Sequence, residues 1–141
     1  MKLRIHNHLL FFYHKRIRKT YGICSRVKYS CNLHYLLFDI DIPKKYLYDA
    51  LSYFRAQYPN SKKSWYSTPH GIHVIVFEKH SFKNAIRELV ECPFIDLKWV
   101  AIGIKRGYWF LESHSKVAPK QFYGWEKLDK DLTYMMVERV D

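Results

Sequence analysis

Two aspartates, one residue apart, end an apolar run in the first third of the chain. The segment Tyr35–Asp41 has the sequence YLLFDID, so apolar residues lead directly into Asp39, and Asp41 follows. A carboxylate rarely enters a protein core unless it is ion-paired or bound to a metal. In a strand the two carboxylates would share one face, about 7 Å apart, and the neighbouring apolar side chains would face the other way.

Two interpretations of this pair are open at the level of the residues. In one, Asp39 and Asp41 bind Mg²⁺ or Mn²⁺, which prefer oxygen ligands and leave coordination positions for water and substrate phosphate. Two such ions can activate an attacking hydroxyl and neutralise a leaving pyrophosphate. In the other, the strand simply ends, Asp41 caps the next helix and Asp39 pairs with a lysine.

A second candidate group lies in the segment YSTPHGIHVIV at residues 66–76. Turn residues around Gly71 lead into a β-branched strand that carries His73 near its start. The Ser67 hydroxyl and the backbone N–H groups of the turn could hold a phosphate. The alternative is that His73 is an ordinary structural histidine of the strand.

A third group follows later in the chain, where Asp96 is predicted to begin a strand at 95–104. The basic segment 105–116 comes next and contains Arg106 and Lys116. A guanidinium group matches the oxygens of a phosphate, so these residues could bind a triphosphate. The alternative is a β-turn with exposed basic residues.

The spacing of apolar residues predicts the elements that position these groups. Pro43 fits the first turn of one helix and Ser81 the N-cap of a second. The expected strands are 35–41, 63–66, 72–77, 95–104, 108–111 and 132–137, and the expected helices are 47–58 and 82–90.

This order of elements is typical of an α+β fold, an RRM-like or ferredoxin-like split βαβ antiparallel sheet. Two helices would cover one face, and the other face would be left open for a ligand. We expect a single domain over 1–141, with a basic N-terminal extension (1–34), the RRM-like core (35–116) and a C-terminal extension (117–141).

The charge balance indicates a polyanionic partner. The chain has 24 Lys+Arg against 13 Asp+Glu, a formal charge of +11, and it contains 12 Tyr, 9 Phe and 4 Trp. Lysines among aromatic rings suit single-stranded nucleic acid, whose unpaired bases stack on such rings. The alternative is that the aromatics form the core and the lysines a solvated face. The candidate nucleic-acid contacts are Lys15, Arg16, Arg18, Lys19, Lys105 and Trp109.

The cysteines and the hydropathy bear on the compartment. Three cysteines without a CxxC pair are typical of reduced thiols in a cytoplasmic protein. The apolar run at 9–12 is too short to cross a bilayer, so we expect no membrane partner.

The three groups occur in the order hydrophobic-Asp-x-Asp, Gly-x-His and hydrophobic-Asp, at Phe38–Asp41, Gly71–His73 and Ile95–Asp96. This order resembles the three-motif signature of the archaeo-eukaryotic primase superfamily, and the chain looks like the compact primase-polymerases of archaeal plasmids or viruses. Members of that family have an RRM-like catalytic half whose acids hold two divalent ions.

The resemblance implies roles for individual residues. Asp39, Asp41 and Asp96 would be the catalytic metal ligands for Mg²⁺ or Mn²⁺. Nucleotide phosphates would be contacted by the second and third groups: Ser67, Gly71, His73, Arg106 and Lys116. The implied partners are nucleoside triphosphates and a single-stranded template, and a second replication subunit could complete the enzyme.

The expected function is therefore that of a DNA or RNA primase or primase-polymerase core. One alternative is a non-catalytic single-stranded nucleic-acid-binding module of the RRM type, since Lys105–Phe110 echoes an RRM strand motif. Another is a rolling-circle replication initiator, which needs paired histidine ligands and a nucleophilic tyrosine. His70 and His73 are three residues apart, so on one strand they would point to opposite faces.

Overall fold

The computed structural model describes residues 3–5, 8–10, 14–30, 32–112, 131 and 133–140. Within these ranges the chain is an α+β protein with antiparallel sheets. The strands are β1 (Leu3–Ile5), β2 (His8–Leu10), β3 (His14–Cys24), β4 (Leu33–Asp41), β5 (Lys63–Ser67), β6 (Gly71–Ser81), β7 (Phe110–Glu112) and β8 (Thr133–Val140). The helices are α1 (Leu47–Gln57), preceded by a 3-10 turn at Lys44–Tyr46, α2 (Phe82–Glu91) and α3 (Leu97–Arg106). None of these helices has the length and apolarity needed to cross a membrane.

The sheet that carries the candidate residues has the order β4-β6-β5, with both pairs antiparallel. Its register places Asp39 opposite His73, and His73 opposite Tyr66, in one row across the three strands. Gly71 lies opposite Asp41, and a Cβ at this position would overlap the carbonyl oxygen of Ile40. The glycine is therefore what allows β6 to approach β4 closely beside Asp41.

Helices α1 and α2 cover one face of this sheet. The Phe38 ring packs edge-on against Phe54 of α1, with 4.8 Å between ring centroids. Leu89 of α2 is fully buried, and the Tyr58 hydroxyl after α1 donates a hydrogen bond of 2.7 Å to Glu88 of α2. Burial of such apolar stripes is the main force that holds helices to a sheet. Both helices lie where the apolar spacing predicts them.

The second sheet unites segments that are distant in sequence. It has the order β1-β2-β3-β7, and β8 also pairs with β3. Ile23 and Cys24 at the end of β3 are buried. The N-terminal segment, expected as an extension of the core, thus supplies a strand that pairs with β7 and β8.

The structure corrects the prediction of a strand at 95–104, because most of this segment is helix α3. Asp96 caps its N-terminus, and Gly107 ends it in the left-handed conformation, with φ of 89°. The Gly107 N–H donates to the carbonyl oxygen of Gly103 at 2.8 Å. Such a glycine at the C-terminal cap satisfies a helical carbonyl without the strain that a Cβ would cause. Among the described residues, this segment keeps one strand-like contact, the bridge between Ile95 and Ile40.

The expectation of an open sheet face is also wrong for most of that face. Next to the row of Asp39, His73 and Tyr66, the same face carries Leu37 and Ile75, which are fully buried. Apolar side chains at these positions stabilise the fold through burial and cannot contact a ligand in solution. The open part of this face lies at the end of β4, where Asp41 is exposed.

Candidate active site

One residue from each of the three sequence groups, Asp39, His73 and Asp96, lies at the end of β4. The Nε2 atom of His73 lies 3.3 Å from Oδ1 of Asp39. The Asp96 N–H donates a hydrogen bond of 3.3 Å to the carbonyl oxygen of Asp39. Residues that are 57 positions apart in the chain are therefore neighbours at one edge of one sheet. This convergence is a consequence of the strand order β4-β6-β5 and the bridge at Ile95.

Asp41 lies among charges of the same sign. Partial desolvation, followed by the carboxylates of Asp39 and Asp96, raises the pKa of Asp41 above its usual value. His70 and His73 act in the opposite direction and lower the pKa. An opposite charge placed between carboxylates favours their ionised form, so a bound cation would relieve this repulsion.

Asp96 has a structural contact of its own as the N-cap of α3. Its Oδ1 accepts hydrogen bonds from the Lys98 N–H at 2.9 Å and from the Trp99 N–H at 3.4 Å. An ionised carboxylate has about four acceptor positions, so this cap leaves capacity for a ligand. Asp41 does not take the capping role that one interpretation gave it, because Pro43 precedes the 3-10 turn without a side-chain hydrogen bond.

His73 is held rigidly behind Asp39. It is 5% exposed, and the edge of its ring meets the Tyr66 ring with 4.8 Å between centroids. The Asp39 side chain keeps 23% of its surface accessible. A buried histidine that contacts one oxygen of a carboxylate fixes the orientation of that carboxylate. His73 can therefore position Asp39 toward solvent.

A cleft of about 170 Å³ opens beside these residues. Both polar and aromatic side chains contribute to its wall. The residues that line it are Asp39, Asp41, Thr68, Pro69, His70, His73, Trp99, Phe110 and Glu112. The cleft is thus bounded by β4, by the turn between β5 and β6, by the first turn of α3 and by β7.

Glu112 is a member of this cleft that the sequence motifs did not indicate. It ends β7 after the apolar residues Trp109–Leu111, in the same way that Asp39 follows the apolar residues of β4. An acid at the end of a buried apolar run is the pattern that indicates Asp39 as a candidate. The same signal applied at residue 112 would have found this carboxylate.

The turn between β5 and β6 contributes three residues to the cleft wall, Thr68 to His70. Ser67, the residue expected to bind phosphate, is exposed at the end of β5 and is not part of that wall. His70 precedes strand β6, so the expectation that His70 and His73 face opposite ways is wrong, and both line the cleft.

Several predicted contact residues lie elsewhere. Arg106 and Lys105 form the last turn of α3, and ten residues at a rise of 1.5 Å place Arg106 about 15 Å along the helix from Asp96. Arg106 therefore does not share the cleft with the acids, contrary to the expectation of a common triphosphate site. Lys116 lies outside the described residues.

The expected role of Trp109 on a nucleic-acid surface is also corrected. Trp109 is 1% exposed, and its indole N–H donates to the carbonyl oxygen of Val100 at 3.2 Å. A base cannot stack on a ring that is enclosed in this way. The basic residues 15, 16, 18 and 19 lie in β3, where the backbone is described but their side chains are outside the described part of the structure.

The donor chemistry at the end of β4 fits a hard divalent cation. Carboxylate oxygens at alternate positions of one strand, with a third acid adjoining, are the ligand type that Mg²⁺ and Mn²⁺ prefer. The pKa of Asp41 is raised partly by the like charges that such a cation would neutralise. Within the described part of the chain, no three His, Cys, Asp or Glu side chains converge as a ready metal-binding group. The carboxylates at the end of β4 therefore fit a divalent cation by their donor type and their location, and not by a preformed coordination geometry.

Comparisons with known proteins give no further information on this site. No family model, no curated protein and no solved structure matches the chain.

Proposed function

We propose that this protein is the nucleotidyl-transfer core of a primase or primase-polymerase, with its active site in the cleft at the end of β4. The observation that supports the proposal most strongly is the meeting of Asp39, His73 and Asp96 at the end of β4. The sheet order β4-β6-β5 with two helices on one face is compatible with the RRM-like arrangement that the resemblance implies.

The proposed reaction joins a nucleotide to a growing chain. A 3′ hydroxyl oxygen attacks the α-phosphorus of a nucleoside triphosphate and gives up its proton to solvent, a new P–O bond forms, and pyrophosphate leaves with the electron pair of the broken P–O bond. A divalent cation, when bound, neutralises the charge that develops on the phosphoryl oxygens. Asp39 and Asp41 would hold it. Asp96 does not line the cleft, but its charge acts on Asp41, and in this proposal it would assist from the first turn of α3.

The other residues of the cleft have supporting roles in this proposal. His73 holds Asp39 by its contact of 3.3 Å, so that the carboxylate stays oriented toward the cleft. The turn lines the same cleft as Asp39 and Asp41, and its backbone groups and the Thr68 hydroxyl would contact phosphate oxygens there. Trp99 and Phe110 give the cleft an apolar wall, which suits the face of a base or sugar.

The test is synthesis of labelled product on a single-stranded template with nucleoside triphosphates and either Mn²⁺ or Mg²⁺. We expect the Asp39→Asn/Asp41→Asn double variant to lose about a hundredfold or more of the rate, the order expected when electrostatic stabilisation of a transition state is removed. The matched control is Asp49→Asn, which removes an exposed carboxylate in the first turn of α1.

Two results would contradict the proposal. One is equal product from the double variant and the wild-type protein, and the other is synthesis that persists in excess EDTA. Loss of activity in Asp49→Asn as well would show that carboxylate removal has a general effect on the fold, which thermal unfolding of each variant measures independently.

The structure does not favour the alternatives over this proposal. An RRM-type binding module uses an open sheet face with exposed aromatics, whereas Leu37, Ile75 and Trp109 are buried here. A rolling-circle initiator needs a nucleophilic tyrosine at its metal site. Among the described residues that line the cleft, none is a tyrosine.

A further inference from the structure

A second charged feature lies at the far end of α3 from the acids, around the ring of Tyr108. The Arg26 guanidinium carbon lies 4.9 Å from the centre of this ring, and that of Arg106 lies 5.3 Å from it. Both arginines are exposed, whereas Tyr108 is half-buried. Cation–π contact with one ring therefore holds two guanidinium groups close together at the surface.

Neither guanidinium is neutralised by an acid of the described chain. Within the described ranges, no ion pair joins Arg26 or Arg106 to a carboxylate. The C-terminus of α3 supplies only about half a unit of negative charge through its dipole. Arg26, Lys105 and Arg106 together supply three positive charges at this helix end. The dipole can account for part of this charge, and the remainder favours an external anion.

The turn next to Arg26 presents an aromatic ring to solvent. Tyr29 is 93% exposed, and it has a positive φ of 64° in the turn closed by the hydrogen bond from the Ser30 N–H to the Val27 carbonyl oxygen. Residues with a Cβ rarely adopt this backbone conformation. The Lys28 ammonium lies 5.3 Å from the centre of this ring, so the turn presents an aromatic face and a positive charge together to solvent. Such a pair suits a base and its phosphate.

We infer that Arg26, Arg106, Tyr108 and Tyr29 form a binding surface for single-stranded nucleic acid, in which the arginines contact successive phosphates and Tyr29 stacks on an unpaired base. Guanidinium groups fit phosphate oxygens, and an exposed aromatic ring three residues along the chain from Arg26 suits a single strand. The inference rests on the proposed function in one respect, which is that the bound strand is the template or the growing product.

The position of this surface gives it a separate role from that of the acidic cleft. Arg106 is about 15 Å from Asp96 along α3, which corresponds to about four nucleotides at the 3.4 Å spacing of a stacked strand. The arginines would thus hold the polymer upstream of the reacting end. Because the charges of Arg26 and Arg106 act far from the acids, their removal should leave the cation affinity of the cleft unchanged.

The test measures binding of a labelled oligo-dT of roughly 12 nucleotides, and of the matching oligo-U, by fluorescence anisotropy in EDTA over a range of salt concentrations. For Arg26→Gln/Arg106→Gln we expect the Kd to rise about tenfold or more near 0.1 M salt. The slope of log Kd against log salt should become shallower by about 1.4, since each phosphate contact to a single strand contributes about 0.7. Preference for one oligonucleotide would distinguish DNA from RNA as the ligand.

Tyr29 is tested with a pair of substitutions. Tyr29→Gly removes the ring and relieves the backbone strain, so we expect binding to weaken about fivefold or more without loss of thermal stability. Tyr29→Trp keeps a stacking surface and should retain the affinity of the wild-type protein.

The control for the arginine pair is Lys83→Gln/Arg87→Gln, which removes two exposed charges from α2 and should leave the salt slope unchanged.

The inference is overturned if the α2 control weakens binding as much as the arginine pair does, which would indicate diffuse charge attraction. It is also overturned if Tyr29→Gly binds as tightly as the wild type and heparin competes as well as oligo-dT, which would indicate a general polyanion site. If Asp39→Asn/Asp41→Asn keeps full synthesis while the arginine pair loses binding, the proposed function fails and the inference stands. If Asp39→Asn/Asp41→Asn abolishes synthesis while Arg26→Gln/Arg106→Gln binds as tightly as the wild type, the proposed function stands and the inference fails.

Discussion

Asp41 shows how a carboxylate of the proposed cation site can oppose the stability of the fold that carries it. Partial desolvation and the neighbouring carboxylates raise its pKa, so the folded protein disfavours the ionised form. A carboxyl group whose pKa is higher in the folded state makes the fold less stable as the pH rises through its titration range. The residue therefore reduces stability at neutral pH when the cleft contains no cation, as is common at sites arranged for function.

We expect Asp41→Asn to raise the melting temperature in EDTA at neutral pH, because the neutral amide removes the repulsion from Asp39 and Asp96. Mn²⁺ should stabilise the wild-type protein, since a ligand that binds only the folded state shifts the unfolding equilibrium, and this effect should be lost in the variant. Thermal unfolding with and without Mn²⁺ measures both changes. A variant that melts lower than the wild type in EDTA would show that the Asp41 carboxylate makes net favourable contacts, and Asp49→Asn provides the comparison for loss of an exposed carboxylate.

Helix α3 shows what apolar patterning alone leaves undecided. The segment 95–104 is short and rich in isoleucine and valine, a composition that suits a buried strand and a buried helix equally well. The local signals for a helix were present, since Asp96 is a strong N-cap residue and Gly107 a typical C-terminal cap. The two caps therefore predict both ends of the helix. The prediction of a strand was wrong because it followed the apolar composition between the caps.

The packing of α3 depends on Gly103, which lies under the indole ring of Trp109. A Cβ at Gly103 would overlap Cδ1 and Nε1 of that ring, and Trp109 is 1% exposed. Alanine has the higher helix propensity, by about 1 kcal/mol, so an exposed glycine at this point of a helix would gain stability from the change. The buried contact should reverse the sign of this effect.

We expect Gly103→Ala to lower the free energy of unfolding by about 2 kcal/mol, the usual cost of overpacking a core. Urea unfolding followed by circular dichroism measures the change. Because the cause is the contact with one ring, a second substitution, Trp109→Leu, should make the two effects non-additive, with a smaller cost for Gly103→Ala in the Trp109→Leu background. Additive effects of the two substitutions would mean that the ring does not cause the loss.

At the scale of the whole molecule, the two sheets join through a small buried polar group. The Trp109 N–H donates to Ser25 Oγ at 3.0 Å, and this oxygen lies 2.9 Å from Nδ1 of His34. With its oxygen accepting from the backbone, the Ser25 hydroxyl can donate to a neutral His34. Burial, followed by the charge of Arg26, lowers the pKa of His34. The junction between residues 25, 34 and 109 therefore requires an uncharged histidine.

This junction predicts a loss of global stability in mild acid. The folded-state pKa of His34 lies below the unfolded value of about 6.5, so protonation favours the unfolded chain as the pH falls below that value. We expect the urea midpoint to decrease between about pH 7.5 and 5.5, and the decrease to be smaller in His34→Asn, whose amide oxygen can still accept from Ser25. His70→Asn, at an exposed histidine, should keep the full pH dependence. Equal pH dependence in both variants would contradict this role of His34.

The sequence predicts where the acids lie but not that the sheet face around them is buried, and the whole molecule shows why. The acids could be predicted because a carboxylate in an apolar strand is rare, and their order along the chain resembles the motif order given in the sequence analysis. The buried sheet face could have been inferred from Leu37 and Ile75, which share the face of Asp39 and His73. The pairing of β3 with β7 and β8 depends on contacts between distant segments, which local patterns do not encode.

The central place of β6 has a consequence for the motions of the site. This strand is hydrogen-bonded to β4 on one side and to β5 on the other, and Val74, Ile75 and Val76 are fully buried. Amides in such a position exchange their protons with solvent only when the whole domain opens, so their exchange rates report the global unfolding equilibrium. We therefore expect the amides around His73 to be among the slowest to exchange, and this strand gives Asp39 a support that should stay in register when the turn beside it opens locally.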